Sequence, residues 1–554
     1  MKAGLRQSMA WLHSWSGLLV CWVLVLVFCA GTASYFKDEI TLWMKPELHR
    51  SAATQVASAE AASRAVAFPQ RNAADSPRWF IDLPDKRTPV VNVLWMRPPG
   101  APASGIGGGR GRFESRTLDP ATGTFLQSVR DTRGGEFLYR LHFDLYFMQA
   151  IWARWIIGFC ALFMLVAILS GVITHRRIFQ DFFTFRPRKG QRSWLDAHNA
   201  TAVLALPFHL MITYTGLVTL MFMYMPWGIQ TAYQGNQQAF SNEAFGRAPQ
   251  GKPSGQAAPL TPLAPLVEQA MRHWDGAQPS RVAITLAGDA NATITVSRGT
   301  EGSLSANAPS MRFNGVTGAL VATTGDAPAA ANQTRGVMVG LHEAHFAGPL
   351  LRALFFVSGL AGCVMVATGA LLWGVKTRQG QAKALAAGAR PSFGLRLVDA
   401  LNIGAIAGLP IAFATYFWAN RLLPVGMAHR PDAEIHAFFI AWAAAAVLAQ
   451  VRPTRGMWRV QLWAGALMLA AIPVLNAFTT QTHLGVTLLQ GQGPAAVAGF
   501  DLTVLGLGLG IALGAAAHVL GRRTKARAPA GAPARRVLPA KNAGMPPGDA
   551  KGAA

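Results

Sequence analysis

Eight stretches dominated by apolar residues, each near the length that crosses a bilayer, run through this chain. They lie at about 15–36, 152–174, 200–223, 350–374, 398–420, 435–451, 459–479 and 499–520. The sixth is the shortest. Hydrocarbon offers no partner to a free backbone N–H or C=O, so each stretch is expected as a helix that bonds within itself. Composition agrees: charged residues are 14% of the chain, against about 25% in soluble domains. The first apolar run, Trp15 to Phe36, is longer than the apolar region of a cleaved signal peptide and reads as a retained helix. The expected fold class is an all-α polytopic membrane protein of about eight transmembrane helices.

The formal net charge of +24 would suggest nucleic acid in a soluble protein. Here the basic residues cluster in short segments beside the spans: Lys2 and Arg6, Arg176 to Arg192, Lys376 to Arg396, Arg452 to Arg459, and from Arg522 onward. That pattern sets membrane orientation, so no nucleic acid is expected; the lipid bilayer is the partner. The segments alternate over eight spans and put both termini in the cytoplasm. The expected organisation is a first helix at 1–36, an outer domain at 37–150, helices two and three with a basic loop at 151–226, and a second outer domain at 227–345. Helix four follows at 346–375, a cytoplasmic loop at 376–397, helices five to eight at 398–521, and a disordered tail at 522–554. Cys21, Cys29, Cys160 and Cys363 all fall in apolar spans, so neither a structural disulfide nor a zinc site is expected.

The two outer segments read as repeats. Each has a helical stretch (near 55–67 and near 262–274), then strand-like sequence: Val90 to Trp95 in one, Val282 to Thr285 and Ala292 to Val296 in the other. Each continues to an Asx-x-x-Thr-Gly turn, Asp119 to Gly123 and Asn314 to Gly318, where Asx starts the turn and Gly can take positive φ. The flanking helices repeat too: Leu141-His142 and Leu341-His342 precede apolar spans, and His13 and His198 begin them. Each outer segment is therefore expected to fold as a small α+β domain.

Ionisable side chains in a membrane are costly and usually functional. His13, His175 and His198 lie near the cytoplasmic ends of spans, His142, His342 and His345 near outer ends, and His209 inside span three. On a continuous helix His198 and His209 share one face about 16 Å apart, a spacing suited to two haems stacked across a membrane. The duplication pairs His13 with His198 and His142 with His342; the part of His175 and His209 stays open. Gly17, Gly158, Gly171, Gly216 and Gly369 allow close approach of a helix or a flat macrocycle, and Arg140, Arg154 and Arg352 are candidate partners for haem propionates. His49, His273 and His429 read as ordinary surface or loop residues, and His436, His483 and His518 stay unassigned. The run Gly105 to Gly111 has no strand–helix context for a dinucleotide, and no cytoplasmic segment is long enough for a flavin domain.

In order and spacing, His13-Ser-Trp-Ser-Gly17, Leu141-His142, Trp194-Leu-Asp-Ala-His198, Leu206-Pro-Phe-His209 with Tyr214-Thr-Gly216, and Leu341-His342 through Arg352 resemble the PepSY-associated transmembrane helix family over about residues 1–380. The resemblance implies two PepSY-like outer domains. Its iron-regulated branch, which is similar to inner-membrane ferric-siderophore reductases, implies b-type haem, two per chain. The ligands so implied are His13, His142, His198 and His342, with His175 and His209 fitting that branch. His345 stands where that branch more often has arginine, which argues against a ligand role. The implied activity is reduction of a ferric siderophore or other ferric chelate outside a bacterial inner membrane, with a quinol or membrane redox protein as donor. Two other readings use the same residues: a non-enzymatic membrane scaffold or regulator, and a metal transporter.

Overall fold

Length and apolarity fix helices over the spans, and the computed structural model shows how they assemble. It describes residues 3–49, 56–97, 113–127, 129–175, 186, 189, 191–246 and 251–526. The Gly105 to Gly111 run, most of the basic segment from Arg176 to Arg192, the tail beyond 526 and the side chain of His518 lie outside the described residues.

The elements used below are, in chain order, helices α1 (Ala3–Ser34), α2 (Lys37–Trp43) and α3 (Ser58–Asn72), then strands β1 (Arg78–Asp82), β2 (Val91–Met96) and β3 (Phe113–Leu118). Next come α4 (Gly134–Asp144), α5 (Ala150–Thr174), α6 (Gln191–Leu204), α7 (Leu206–Thr219) and α8 (Leu263–His273). Strands β4 (Pro279–Thr285), β5 (Thr293–Arg298), β6 (Ser310–Asn314) and β7 (Leu320–Thr324) follow, then α9 (Ala330–Glu343) and α10 (Pro349–Gly380). The rest are α11 (Phe393–Asn402), α12 (Gly408–Leu422), α13 (Arg430–Val451), α14 (Arg455–Ala470), α15 (Ile472–Thr479) and α16 (Ala495–Ala526).

Among the described residues seven spans are single helices or near-continuous pairs long and apolar enough to cross a membrane, and α6 with α7 makes the eighth. The protein is a polytopic membrane protein. The sixth span is a full helix of 22 residues, Arg430–Val451, because its first turn is polar but buried. The third span is not one helix: α6 and α7 meet at 68°. Pro207, in the first turn of α7, has no N–H to give the carbonyl four residues back, and its ring crowds the preceding turn. The straight helix that would put His198 and His209 on one face is therefore broken between them.

The two outer segments do not form separate domains. Their strands make one seven-stranded antiparallel sheet in the order β3-β2-β1-β4-β5-β6-β7. β1 and β4, the first strand of each repeat, pair directly, Phe80 opposite Ala283. An open edge at either strand would leave a row of unpaired backbone groups, and joining the units removes both. Alternate residues Trp79, Ile81, Val91, Val93, Val282, Ile284, Ile294 and Val296 are buried on one face, under α3 and α8, which pack on each other. Both Asx turns form alike. Asp119 and Asn314 accept through Oδ1 from the backbone two residues on, at 2.8 and 2.9 Å, and Gly123 and Gly318 take φ of 68° and 73°.

Helices α1, α5, α6–α7 and α10 form the first bundle, with α4 against α1 and α9 against α7. The end carrying the sheet is called the sheet side below, the other the far side. Helices α11 to α16 pack beside this bundle: α16 touches α2, α11 touches α10, and Phe137 of α4 packs on Tyr416 and Phe438. Their junction is a buried polar cluster. Glu434 accepts from Arg430, Thr132 and Asn420; Arg421 donates to the Trp43 carbonyl at 2.7 Å and to Asn476 at 3.0 Å; Asn476 and Trp43 both donate to Asp501. Buried groups of this kind are tolerable only when mutually satisfied.

Candidate functional site: two facing histidine pairs

The unit of the site is a histidine, a glycine and a carbonyl. His13 on α1 lies against Gly171 on α5 and donates through Nδ1 to the Ala167 carbonyl at 2.8 Å. His142 on α4 lies against Gly31 on α1 and donates to Val27 at 2.8 Å. His198 on α6 lies against Gly369 on α10 and donates to Met365 at 2.8 Å. His342 on α9 lies against Gly216 on α7 and donates to Ile212 at 3.1 Å. In all four the carbonyl belongs to the residue four before the glycine, one helical turn earlier. Only a residue without a side chain at that place lets the ring lie flat enough to reach the carbonyl. A β-carbon at Gly31, Gly216, Gly171 or Gly369 would fall 2.7, 2.9, 3.0 or 3.3 Å from the nearest ring atom.

A carbonyl can only accept, so Nδ1 carries the proton in each ring and Nε2 keeps its lone pair. This is the tautomer of a metal-ligating imidazole whose outer nitrogen is anchored. The rings come in twos. His13 and His198 have centroids 6.2 Å apart, and His142 and His342 6.0 Å apart, with interplanar angles of 72° and 34°. Two imidazoles on opposite sides of one metal ion, with bonds of about 2 Å and roughly 1 Å from nitrogen to ring centre, have centroids about 6 Å apart. His13 and His198 line a far-side cavity of about 900 Å³ whose other walls are mostly apolar, among them Leu18, Leu24, Met164, Ile168 and Val366. His142 and His342 line a sheet-side cavity of about 270 Å³. Among the described residues no three His, Cys, Asp or Glu side chains gather in a group that could hold an ion.

The other histidines expected at the site stand differently. His175 ends α5, lines the far-side cavity and faces Asn199 Nδ2 at 3.1 Å rather than another histidine. His209 also lines that cavity, but past the bend, wholly buried between Phe28 and Phe208. It repeats the unit loosely: its ring meets Gly362, with the Ser358 backbone one turn earlier alongside, yet neither ring nitrogen completes a hydrogen bond by geometry. His198 and His209 thus share a cavity but do not face each other. His345 lies 3.4 Å from Glu343 and pairs with no histidine. The three arginines considered for propionates are taken by carboxylates: Arg140 by Glu136 and Asp144 one turn away on α4, Arg154 by Asp144 at the end of α4, and Arg352 by Glu39 of α2. Of the glycines singled out, Gly17 faces open space and Gly158 meets Tyr224.

Two residues escaped the sequence reading. Gly31 follows His13 by 18 residues, as Gly216 follows His198, so the duplication carries its signal (31 − 13 = 216 − 198). His49 is buried, not a surface residue: its Nε2 is 2.9 Å from the Leu42 carbonyl, its Nδ1 meets Thr482, and burial pushes its imidazole down to about 4. Nothing local in the sequence marks that contact, whose partners are 433 residues apart.

A family description, the PepSY-associated TM region, matches residues 10–376. A Pseudomonas aeruginosa protein, Uncharacterized protein PA4219, is 28% identical over 367 residues, which is 62% of this chain and 84% of that one. The family match takes in all four paired histidines and their four glycines, and stops before α11. The chain belongs to the PepSY-associated transmembrane family.

Proposed function

We propose that the His13–His198 and His142–His342 pairs each hold one b-type haem, and that the protein transfers electrons across a bacterial inner membrane to a ferric siderophore or other ferric chelate. The observation that carries this is the pairing itself: two sets of facing imidazoles about 6 Å apart, each ring anchored through Nδ1 so that Nε2 is left as ligand. Haem bound between two imidazoles supplies reversible one-electron chemistry. The chain's own part is to fix the tautomer of each ring, to hold the rings on glycine faces, and to wall the sites with apolar side chains that keep water out.

Histidines in twos would suit a haem held by two imidazoles better than the larger donor sets of an ion-transport site. The basic segments beside the spans support an orientation with both termini in the cytoplasm and the sheet outside. In that orientation the far-side cavity faces a quinol or membrane redox donor, and the sheet side faces the chelate. Reduction to Fe(II) weakens binding by hard oxygen donors, so iron leaves the chelator.

Purified from haem-replete cells, the protein is expected to show a Soret band, with sharp α and β bands after dithionite, at two haems per chain. His13→Ala and His142→Ala should each remove one. A colourless preparation overturns the proposal. Reoxidation of the reduced protein by a panel of ferric siderophores tests the substrate; no reoxidation by any of them removes the reductase step.

A further inference from the structure

The sheet-side cavity is lined, beyond His142 and His342, by a group of side chains that the histidine pairs do not use. Tyr139 on α4, Glu343 at the end of α9 and His345 just past it all face this cavity. The Tyr139 hydroxyl donates to Glu343 Oε1 at 3.4 Å, and His345 Nδ1 lies 3.4 Å from Glu343 Oε2. Ala344 between them takes a left-handed φ of 55°, uncommon for a residue with a β-carbon. That turn ends α9 and brings the side chains on either side of it together. Both remain reachable from outside, with Glu343 20% and His345 38% exposed. Lys37 Nζ lies 4.7 Å from the Tyr139 ring centre and lines the same cavity.

We propose that Tyr139, Glu343 and His345 form a ferric-ion site beside the His142–His342 pair, binding the Fe(III) of an anionic oxygen chelate, whose charge Lys37 holds, in place of part of the chelator's own oxygens. Its role as the acceptor site rests on the reading of that pair as an electron outlet; the binding itself does not. Phenolate, carboxylate and imidazole together suit a small, highly charged cation. Donors 3.4 Å apart have the separation of two ligands on one cation with bonds of about 2 Å, roughly 3.0–3.4 Å. Binding is a ligand exchange in which no electron moves. Tyr139 loses its phenol proton to the displaced chelator oxygen as the Tyr139 oxygen–iron bond forms and that one chelator–iron bond breaks, while the other chelator oxygens stay on the iron until it is reduced. Phenolate and carboxylate oxygens are hard anionic donors that favour Fe(III) over Fe(II), so the reduced ion is released.

The test uses Ga(III) citrate, a redox-inert probe of the same charge, in equilibrium dialysis against the purified full-length protein. One Ga(III) per chain is expected. Tyr139→Phe, Glu343→Gln and His345→Gln should each weaken it at least about tenfold, with the haem spectrum unchanged and His273→Ala without effect. No retained Ga(III), or equal retention by all three variants, overturns the site. Ga(III) bound by a colourless protein keeps the site and removes the electron-transfer reading; a haem-loaded protein that retains no Ga(III) does the reverse.

Discussion

Gly31→Ala adds one methyl group where the His142 ring lies. The new β-carbon would sit 2.7 Å from both Cε1 and Nδ1, whereas carbon contacts are comfortable at about 3.5–4.0 Å. Ring and helix must therefore part by about 1 Å. The Nδ1–Val27 bond, 2.8 Å in this structure, then stretches to roughly 3.8 Å, past the limit of a hydrogen bond. Overpacking costs about 1–3 kcal/mol, and loss of an anchor behind a metal-ligating histidine typically lowers affinity about 10- to 100-fold, or about 1.4–2.7 kcal/mol. The protein should lose most of the sheet-side haem and keep the far-side one. By the same contact, Gly216→Ala, Gly171→Ala and Gly369→Ala should be progressively milder, at 2.9, 3.0 and 3.3 Å, and Gly17→Ala, with open space around it, should be silent. Haem per chain from pyridine haemochrome spectra, with a redox titration to tell the two sites apart, reads the series. Full loading and unchanged potentials in Gly31→Ala, or an equal loss in Gly17→Ala, would refute the argument.

Pro207→Ala restores an N–H to the preceding turn and should reduce the bend between α6 and α7, shifting His209 off Gly362 and altering the far-side haem spectrum; an unchanged spectrum would show that the bend is held by packing alone. Arg421→Met leaves the buried Trp43 carbonyl without its donor and removes one of the two donors to Asn476 Oδ1, and should destabilise the junction by about 1–3 kcal/mol, read as a lower Tm in detergent; an unchanged Tm would make that cluster incidental. Asp289 accepts from the N–H groups of Ser254, Gly255 and Asn291 and from the Ser254 hydroxyl, and these bonds hold its carboxyl down to about 2. A depressed folded pKa gives stability that is present above about pH 4 and lost as pH falls through about 2. Amide exchange at 254–255 should therefore accelerate beyond its intrinsic rate only below about pH 4, whereas Asp289→Asn should show the faster exchange already at pH 7; slow exchange in that variant would assign the loop's order elsewhere.

Much of the arrangement is local and was legible. Span number follows from apolar run length, helices α3 and α8 and strands β2, β4 and β5 fall close to where their patterns put them, and the two Asx turns adopt the geometry their residues demand. The duplication named the histidines that the structure brings face to face, His13 with His198 and His142 with His342. It also held Gly31 at an equivalent spacing, though a lone glycine in an apolar helix draws no notice without the ring that lies on it.

What the sequence by itself determined is whatever a few neighbouring residues decide: a helix where lipid leaves no other backbone solution, a turn where Asx and Gly permit it, and a repeat visible by its spacing. The tertiary structure alone decided which groups meet across long separations. It joined two outer segments into one sheet because each had an open first strand, and gave Arg352 to Glu39, 313 residues away. It also buried Arg421, Arg430, Glu434 and Asp501 together at the seam between the two sets of helices. The four paired histidines were evident in the chain as residues, but their tautomers, and so their chemistry, are set by carbonyls of other helices that approach only after the bundle has packed.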